Sequence, residues 1–396
     1  MADTHAIQSL PLPTFAKVRY NAWQLDDMIP ATETATTPFF MKNKENGIEV
    51  SGLSTTYQHL TEALTAQGVI LMSMVQAKID YPALLEKMVG TVITKTTDRL
   101  SAQNFAQFNT GIFVYIPENV QFDDVLHLTL NHLAASGKDL VARIFVYIGA
   151  NAKVDILQEI HTISDQKTKA SVVVEVIADV GAQVTYANID AFNEQTTAYI
   201  NREAEVRDHA TLDWQNAEFN DGNAIIRLAS QLNGEGATSH ANVIGLTTKK
   251  QTQGFVTTIL NRGRHTLGHI FQRGVILNRS TLVFNGIGKI IKGAQGSDAQ
   301  QESRVLMLSR RARGDANPLL LIDENDVTAG HAASVGRVDE DQMYYLMSRG
   351  ISEQVARKLV IRGFMGEVLA KMPTKEAQQQ VVTEIDRKLK HEDESN

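Results

Sequence analysis

The amino-acid sequence predicts a mainly β protein built around a parallel β-helix, with helical regions before and after it. Three observations carry that expectation. The first is where proline is missing. Five of the eight prolines lie at or before position 82 (Pro11, Pro13, Pro30, Pro38 and Pro82), and residues 118–317 contain none. Proline breaks helix interiors and cannot donate to a strand ladder, so this long window is open to uninterrupted regular structure. The second is its period. ARIFVYIGANAKVDILQEI, SVVVEVIADVGAQVTYANI, REAEVRDHATLDWQNAEF and NAIIRLASQLNGEGATSHANVIG alternate apolar and polar residues and are rich in β-formers. The third is a repeat. Ala152, Ala182, Ala210 and Ala237 each follow a Gly/Asn/Asp-containing corner and open a strand, at intervals of 30, 28 and 27 residues. A near-constant period of that size marks a solenoid, in which each coil covers its neighbour's apolar face. A meandering β-sandwich is the alternative for the same alternation.

In chain order, residues 1–50 read as irregular and polar. Residues 55–107 carry helical spacing: Tyr57, Leu60 and Leu64 before Gly68, then Leu84, Leu85, Met88 and Val89 after Pro82. Beyond the solenoid, Asp339 with Gln342 three residues on signals a helix start, followed by Met343, Leu346 and Met347 and stopped at Gly350. Ser352 caps a second helix carrying Val355, Leu359 and Val360. Thr374 caps a third, with Ala377, Val381, Ile385 and Leu389 on one stripe and a basic last turn at 387–390. The tail HEDESN is expected to fray. The division is a mostly helical 1–105, a β-helix core 106–335 and a C-terminal helical domain 336–396.

Composition removes several classes of function. A net charge of −7 counts against general nucleic-acid binding, which needs an excess of Lys and Arg. With no cysteine, the chain can form neither a disulfide scaffold nor a Cys₄ zinc site, offers no thiol nucleophile, and cannot by itself ligate an iron–sulfur cluster through thiolates. No basic segment followed by an apolar run opens the chain, and the longest uncharged apolar stretch, near Gly68–Ala77, is about half a membrane span. A soluble, cytoplasmic protein is expected.

The catalytic motifs are equally sparse. NGIGKI (Asn285–Ile290) lacks the earlier glycine and the final Ser/Thr of a phosphate loop and reads as a strand corner. His265 and His269 have the spacing of two zinc ligands on a helix, but in strand territory they stand about 13 Å apart and read as ordinary histidines. Asp323–Asp326 is a solvated turn rather than a calcium loop. A β-helix can also host a polysaccharide lyase or hydrolase, and that carbohydrate-active reading stays open. So does a purely structural interaction protein. One histidine has an unusual setting: His331 lies among Ala329, Gly330, Ala332, Ala333 and Ser334, small residues that let another backbone approach and leave the imidazole as the one strong donor, acceptor or metal ligand there. On these residues alone it reads as a structural histidine rather than a functional one.

The segment Arg304–Phe364, with ARGDANP, HAASVG and YYLMSRGI, resembles the signature of the SufB/SufD family of iron–sulfur cluster assembly proteins, and FNTGIFVYIPENV (Phe108–Val120) resembles the strand that opens that family's β-helix. The likeness runs from about residue 100 to 390. Within the family it is to the SufD branch in its Gram-positive form, because the SufB pattern has H-E-A where this chain has His331-Ala332-Ala333. The resemblance implies a right-handed parallel β-helix and a scaffold rather than an enzyme. It also implies pairing with SufB through the end of the β-helix, and docking of the ATPase SufC on the C-terminal helices. In SufB's absence the same end can pair with itself as a homodimer. The resemblance makes His331 a candidate ligand for iron or a nascent cluster, and places Ala332, Ala333 and Ser334 at the SufB or homodimer interface. It places Tyr344, Tyr345, Arg349 and Gly350 at the SufC docking surface. On the residues alone, Tyr345 and Leu346 are helix core and Arg349 a C-terminal cap. Many SufD-like proteins have a cysteine two residues before the histidine, where this chain has Ala329, and a Glu where it has Leu321. Any thiol must therefore come from a partner. No cofactor is expected to be held stably by this chain alone; iron or a cluster would be transient and shared.

Overall fold

The computed structural model describes residues 4–42 and 44–393. From Thr110–Ile116 to Val327–Arg337, sixteen strands alternate between two facing sheets, so that each coil gives one strand to each sheet. Neighbouring coils pair in parallel and in register: Ile200 lies between Val172 and Ile226, and all three point between the sheets into a continuous apolar interior. Odd and even positions of each strand therefore face different worlds. One set fills the lumen; the other must be covered from outside.

The corner alanines stack as the period predicts, and Ala152, Ala182, Ala210 and Ala237 are all fully buried. The residue before each is left-handed, and the ladder continues through the next two coils: Asn151, Gly181, His209, Gly236, His265 and Gly296 all have φ between 55° and 71°. Side chains and glycines alternate for a steric reason. A Cβ at Gly181 would stand 2.5 Å from Asn151 Oδ1, and one at Gly236 would stand 2.6 Å from His209 Nδ1. Each bulky corner thus lies over a bare one. His265 belongs to this ladder, which explains it without a metal. NGIGKI is not a corner: it lies inside the strand Thr281–Ile290, where Gly286 and Gly288 make room for the Gln301 side chain.

The flanks cover the two outer faces. The first fifty residues are irregular only in part, with helix Thr4–Ser9, a 3₁₀ turn at Asn21–Trp23 and strand Gly47–Ser51, and they are not solvated: Phe15, Val18, Tyr20, Leu25 and Met28 bury against Phe145, Val173, Tyr199, Ile225 and Val283 of the nine-stranded sheet. Gly254 leaves the space that Val18 occupies; a Cβ there would stand 2.6 Å from Val18 Cγ2. The 55–107 segment is mixed rather than helical throughout. Tyr57 lies in the strand Ser54–His59, which forms an antiparallel hairpin with Gly47–Ser51, and that hairpin starts the ten-stranded sheet. Helices Pro82–Met88 and Arg99–Gln107 follow, the latter capped by Asp98. Strand Ile70–Ser73 likewise begins the other sheet, pairing antiparallel with Thr110–Ile116.

At the C-terminus, helices Glu340–Ser348, Glu353–Leu369 and Lys375–Asp393 start at Asp339, Ser352 and Thr374, whose side chains accept from backbone N–H groups. Ala377, Val381, Ile385 and Leu389 pack with Ile361, Met365 and Val368 onto Ala187, Ala217, Phe219, Ile244 and Val275 of the ten-stranded sheet. The second helix is turned from its expected face: Ile361 and Met365 go inward, while Val355 and Leu359 stay 46% and 45% exposed. The last helix runs through Asp393 instead of fraying; Glu394–Asn396 lie outside the described residues.

Candidate functional site

The two ends of the solenoid differ. At one, the outermost strands, Ser54–His59 and Ile70–Ser73, run antiparallel to their neighbours. At the other, Arg313–Ile322 and Val327–Arg337 each form the last strand of a sheet, with one edge unpaired among the described residues. Pro318 is tolerated here because the terminal strand has one edge without a ladder partner. Leu319, Leu321, Ile322 and Val335 are exposed, although Ile290 and Val305, the register counterparts of Ile322 and Val335 one coil earlier, are buried. This is an unfinished coil, with apolar side chains and backbone groups waiting for a cover.

His331 stands in that last strand, in register with Gln301 of the strand before it, and is exposed with Ala332, Ala333 and Ser334 beside it. The small neighbours keep the strand bare and the imidazole prominent. His331 and Ala332 border a cavity of about 470 Å³ with His240, His269, Phe271, Glu302 and Lys371. The sheet register explains the company. His240 pairs with His269 across adjacent coils, and that row continues through Gln300 to Gly330. The rings of His240 and His269 stand 5.5 Å apart edge to face; Asp213 Oδ1 lies 2.6 Å from His240 Nδ1 and Asp298 Oδ2 lies 3.3 Å from His269 Nε2. Lys371, between the last two helices, reaches in and donates to Asn242 Oδ1 at 3.0 Å. Arg273 bonds Glu302 at 2.5 Å and stacks 3.7 Å over Phe271; burial holds its guanidinium below its ordinary value. Among the described residues no three His, Asp or Glu side chains converge closely enough to hold a metal ion. His240 and His269 lie on the row that ends at Gly330, whereas His331 continues the alternate, inward row of Ile270 and Gln301, so the three imidazoles border one cavity from different faces of the sheet.

The second group of candidate residues lies apart. Tyr344 and Tyr345 are 75% and 57% exposed on helix Glu340–Ser348, so Tyr345 is not helix core. Arg349 occupies the C-cap with its guanidinium 5.1 Å over the Tyr345 ring, and Gly350 follows with φ +84°. Tyr345, Leu346 and Val360 line a shallow groove between the first two C-terminal helices. Aromatic and arginine side chains left in water are what an interface uses as anchors. His240 and Lys371 were not singled out from the sequence, and His269 was paired there with His265 instead of with His240. The signal was present: His240 and His269 are 29 residues apart, one coil, whereas the i,i+4 pair that drew attention joins a corner to a strand.

The chain matches two family models. The SUF system FeS cluster assembly SufBD core domain covers residues 131–364, and the SufBD protein N-terminal region covers 49–128. It is 34% identical over 392 residues to the iron–sulfur cluster assembly protein SufD of Bacillus subtilis, spanning 98% of this chain and 90% of that one. Iron–sulfur cluster assembly SufBD family proteins of Staphylococcus epidermidis and Staphylococcus aureus (strain USA300) are each 24% identical over 85% of this chain and 71% of theirs.

Proposed function

The chain belongs to the SufB/SufD family of iron–sulfur cluster assembly proteins as a homologue of SufD, and from that premise we propose that it is the non-catalytic scaffold subunit of a cytoplasmic SufB–SufC–SufD complex. Its open solenoid end pairs with SufB, and the exposed Tyr344–Gly350 surface docks the ATPase SufC. The single observation that supports this reading most is the unfinished last coil carrying an exposed His331. An uncovered strand edge with apolar side chains is a template for another strand, and the imidazole stands where two such ends would meet. Iron and sulfide are cargo: His331 contributes a nitrogen ligand, and thiolate comes from the partner, because this chain has no cysteine.

The test is co-purification with SufB and SufC followed by anaerobic cluster reconstitution. His331→Ala should assemble the same complex but form markedly less cluster by absorbance and iron content. Tyr344→Ala/Tyr345→Ala should lose SufC while keeping SufB. If His331→Ala builds cluster as the wild type does, the histidine is no ligand; if the wild type binds neither partner, the scaffold reading fails.

A further inference from the structure

On the edge where the chain passes from the ten-stranded to the nine-stranded sheet, successive corners line a cleft of about 750 Å³. Three consecutive corners bring Lys250, Arg279 and the pair Arg310–Arg311 to its wall. All four side chains are exposed, and none has a hydrogen bond or ion pair among the described residues. Nearby cations are treated differently. Lys249 pairs with Glu194, Arg387 and Lys388 pair with Asp221, and in the adjoining hollow Lys17 and Arg313 both pair with Asp315. Glu194 and Asp221 also line the cleft, but each is engaged by another cation, so an acidic chain leaves four side-chain cations unpaired in one concavity, where they repel one another.

The corners beneath them are rigid. Lys249 and Asn278 are left-handed, with φ of 55° and 52°. Lys249 N donates to Asn278 Oδ1 at 2.9 Å, Arg279 N donates to Lys249 O at 2.9 Å, and Thr248 N is held by Gln251 Oε1 at 2.8 Å. Coil spacing sets the separation. Stacked strands lie about 4.8 Å apart, so three corners present positive charge over roughly 10 Å. That length suits linked phosphates better than a single oxyanion. The volume lies within the roughly 300–1,000 Å³ of small-ligand sites. No aromatic side chain lines the cleft, and base recognition on single strands relies on aromatic stacking. We infer that this cleft binds the di- or triphosphate group of a small molecule, gripped by Lys250, Arg279, Arg310 and Arg311.

Calorimetric titration of the full chain with sodium tripolyphosphate, pyrophosphate and orthophosphate tests this. Affinity should fall in that order, and Arg310→Gln/Arg311→Gln should weaken tripolyphosphate binding by about tenfold or more, since each lost charged contact is worth that much. Arg304→Gln, outside the cleft, should leave it unchanged, and circular dichroism melting should show all variants folded. ADP binding as tightly as pyrophosphate would identify a site that reads phosphates alone; tighter ADP binding would identify a nucleotide site. Either keeps the inference. It is overturned if tripolyphosphate binds no better than orthophosphate, if binding survives removal of all four charges, or if an acidic peptide or duplex DNA displaces tripolyphosphate stoichiometrically at lower concentration.

Discussion

Arg202 points into the lumen between two carboxylates, with its Nη2 donating to both oxygens of Asp190 at 2.8 and 2.7 Å and Nη1 reaching Glu218 at 3.3 Å. One cation cannot neutralise two buried anions. Burial, with Asp190 adding to it, pushes the Glu218 carboxyl well above its ordinary value, which favours its neutral form. Glu218→Gln, which keeps the shape and the neutral state, should change denaturant stability by less than about 1 kcal/mol, whereas Asp190→Asn strands a buried guanidinium and should cost about 3–5 kcal/mol. Equal losses in urea unfolding would refute the assignment. His132 supplies a pH signature. It is buried against Thr168 Oγ1 at 3.0 Å, and burial pushes its pKa down to about 4. The unfolded histidine titrates near 6.5, so between pH 6.5 and 4 the unfolded chain holds the extra proton and stability falls as pH falls. The full loss is about 3 kcal/mol, complete near pH 4 and absent above about pH 7. His132→Gln should flatten this part of a stability–pH profile; an unchanged slope would assign it to other groups.

Among the elements, the corner ladder makes the sharpest prediction. Gly181→Ala meets both a left-handed backbone and Asn151 Oδ1, and should cost about 1–3 kcal/mol. Adding Asn151→Gly to Gly181→Ala removes the side chain that the new Cβ meets, leaves only the left-handed backbone strain and should recover part of that loss in thermal melts. A double variant no more stable than Gly181→Ala alone would mean the two corners are independent. The solenoid itself was readable in the sequence because alternation and a period near 29 are imprinted by contacts that recur each coil, as at Ala152, Ala182, Ala210 and Ala237. Helix caps at Asp339, Ser352 and Thr374 were readable because their hydrogen bonds are local. What escaped depends on register across distant residues. The inward face of the Glu353–Leu369 helix, the burial of Val18 and the meeting of His240 with His269 are decided by partners tens or hundreds of residues away. His331 stood out by composition; its cavity did not.

On the scale of the molecule, each outer face of the solenoid has its own cover, the N-terminal region on one sheet and the last two helices on the other. Outside these covers lie the open end, the Tyr344–Gly350 surface and the basic cleft. Ala333→Lys/Val335→Lys, both exposed on the terminal strand, should leave the melting temperature nearly unchanged while abolishing end-to-end association in sedimentation velocity; a variant that still associates would move the contact elsewhere. The other end is built differently. Its outermost strands, Ser54–His59 and Ile70–Ser73, also keep one edge without a partner among the described residues, but they run antiparallel to their neighbours. The two edges therefore differ in direction, and a ladder carried from one molecule's last coil onto another's first would have to change from parallel to antiparallel pairing at the joint.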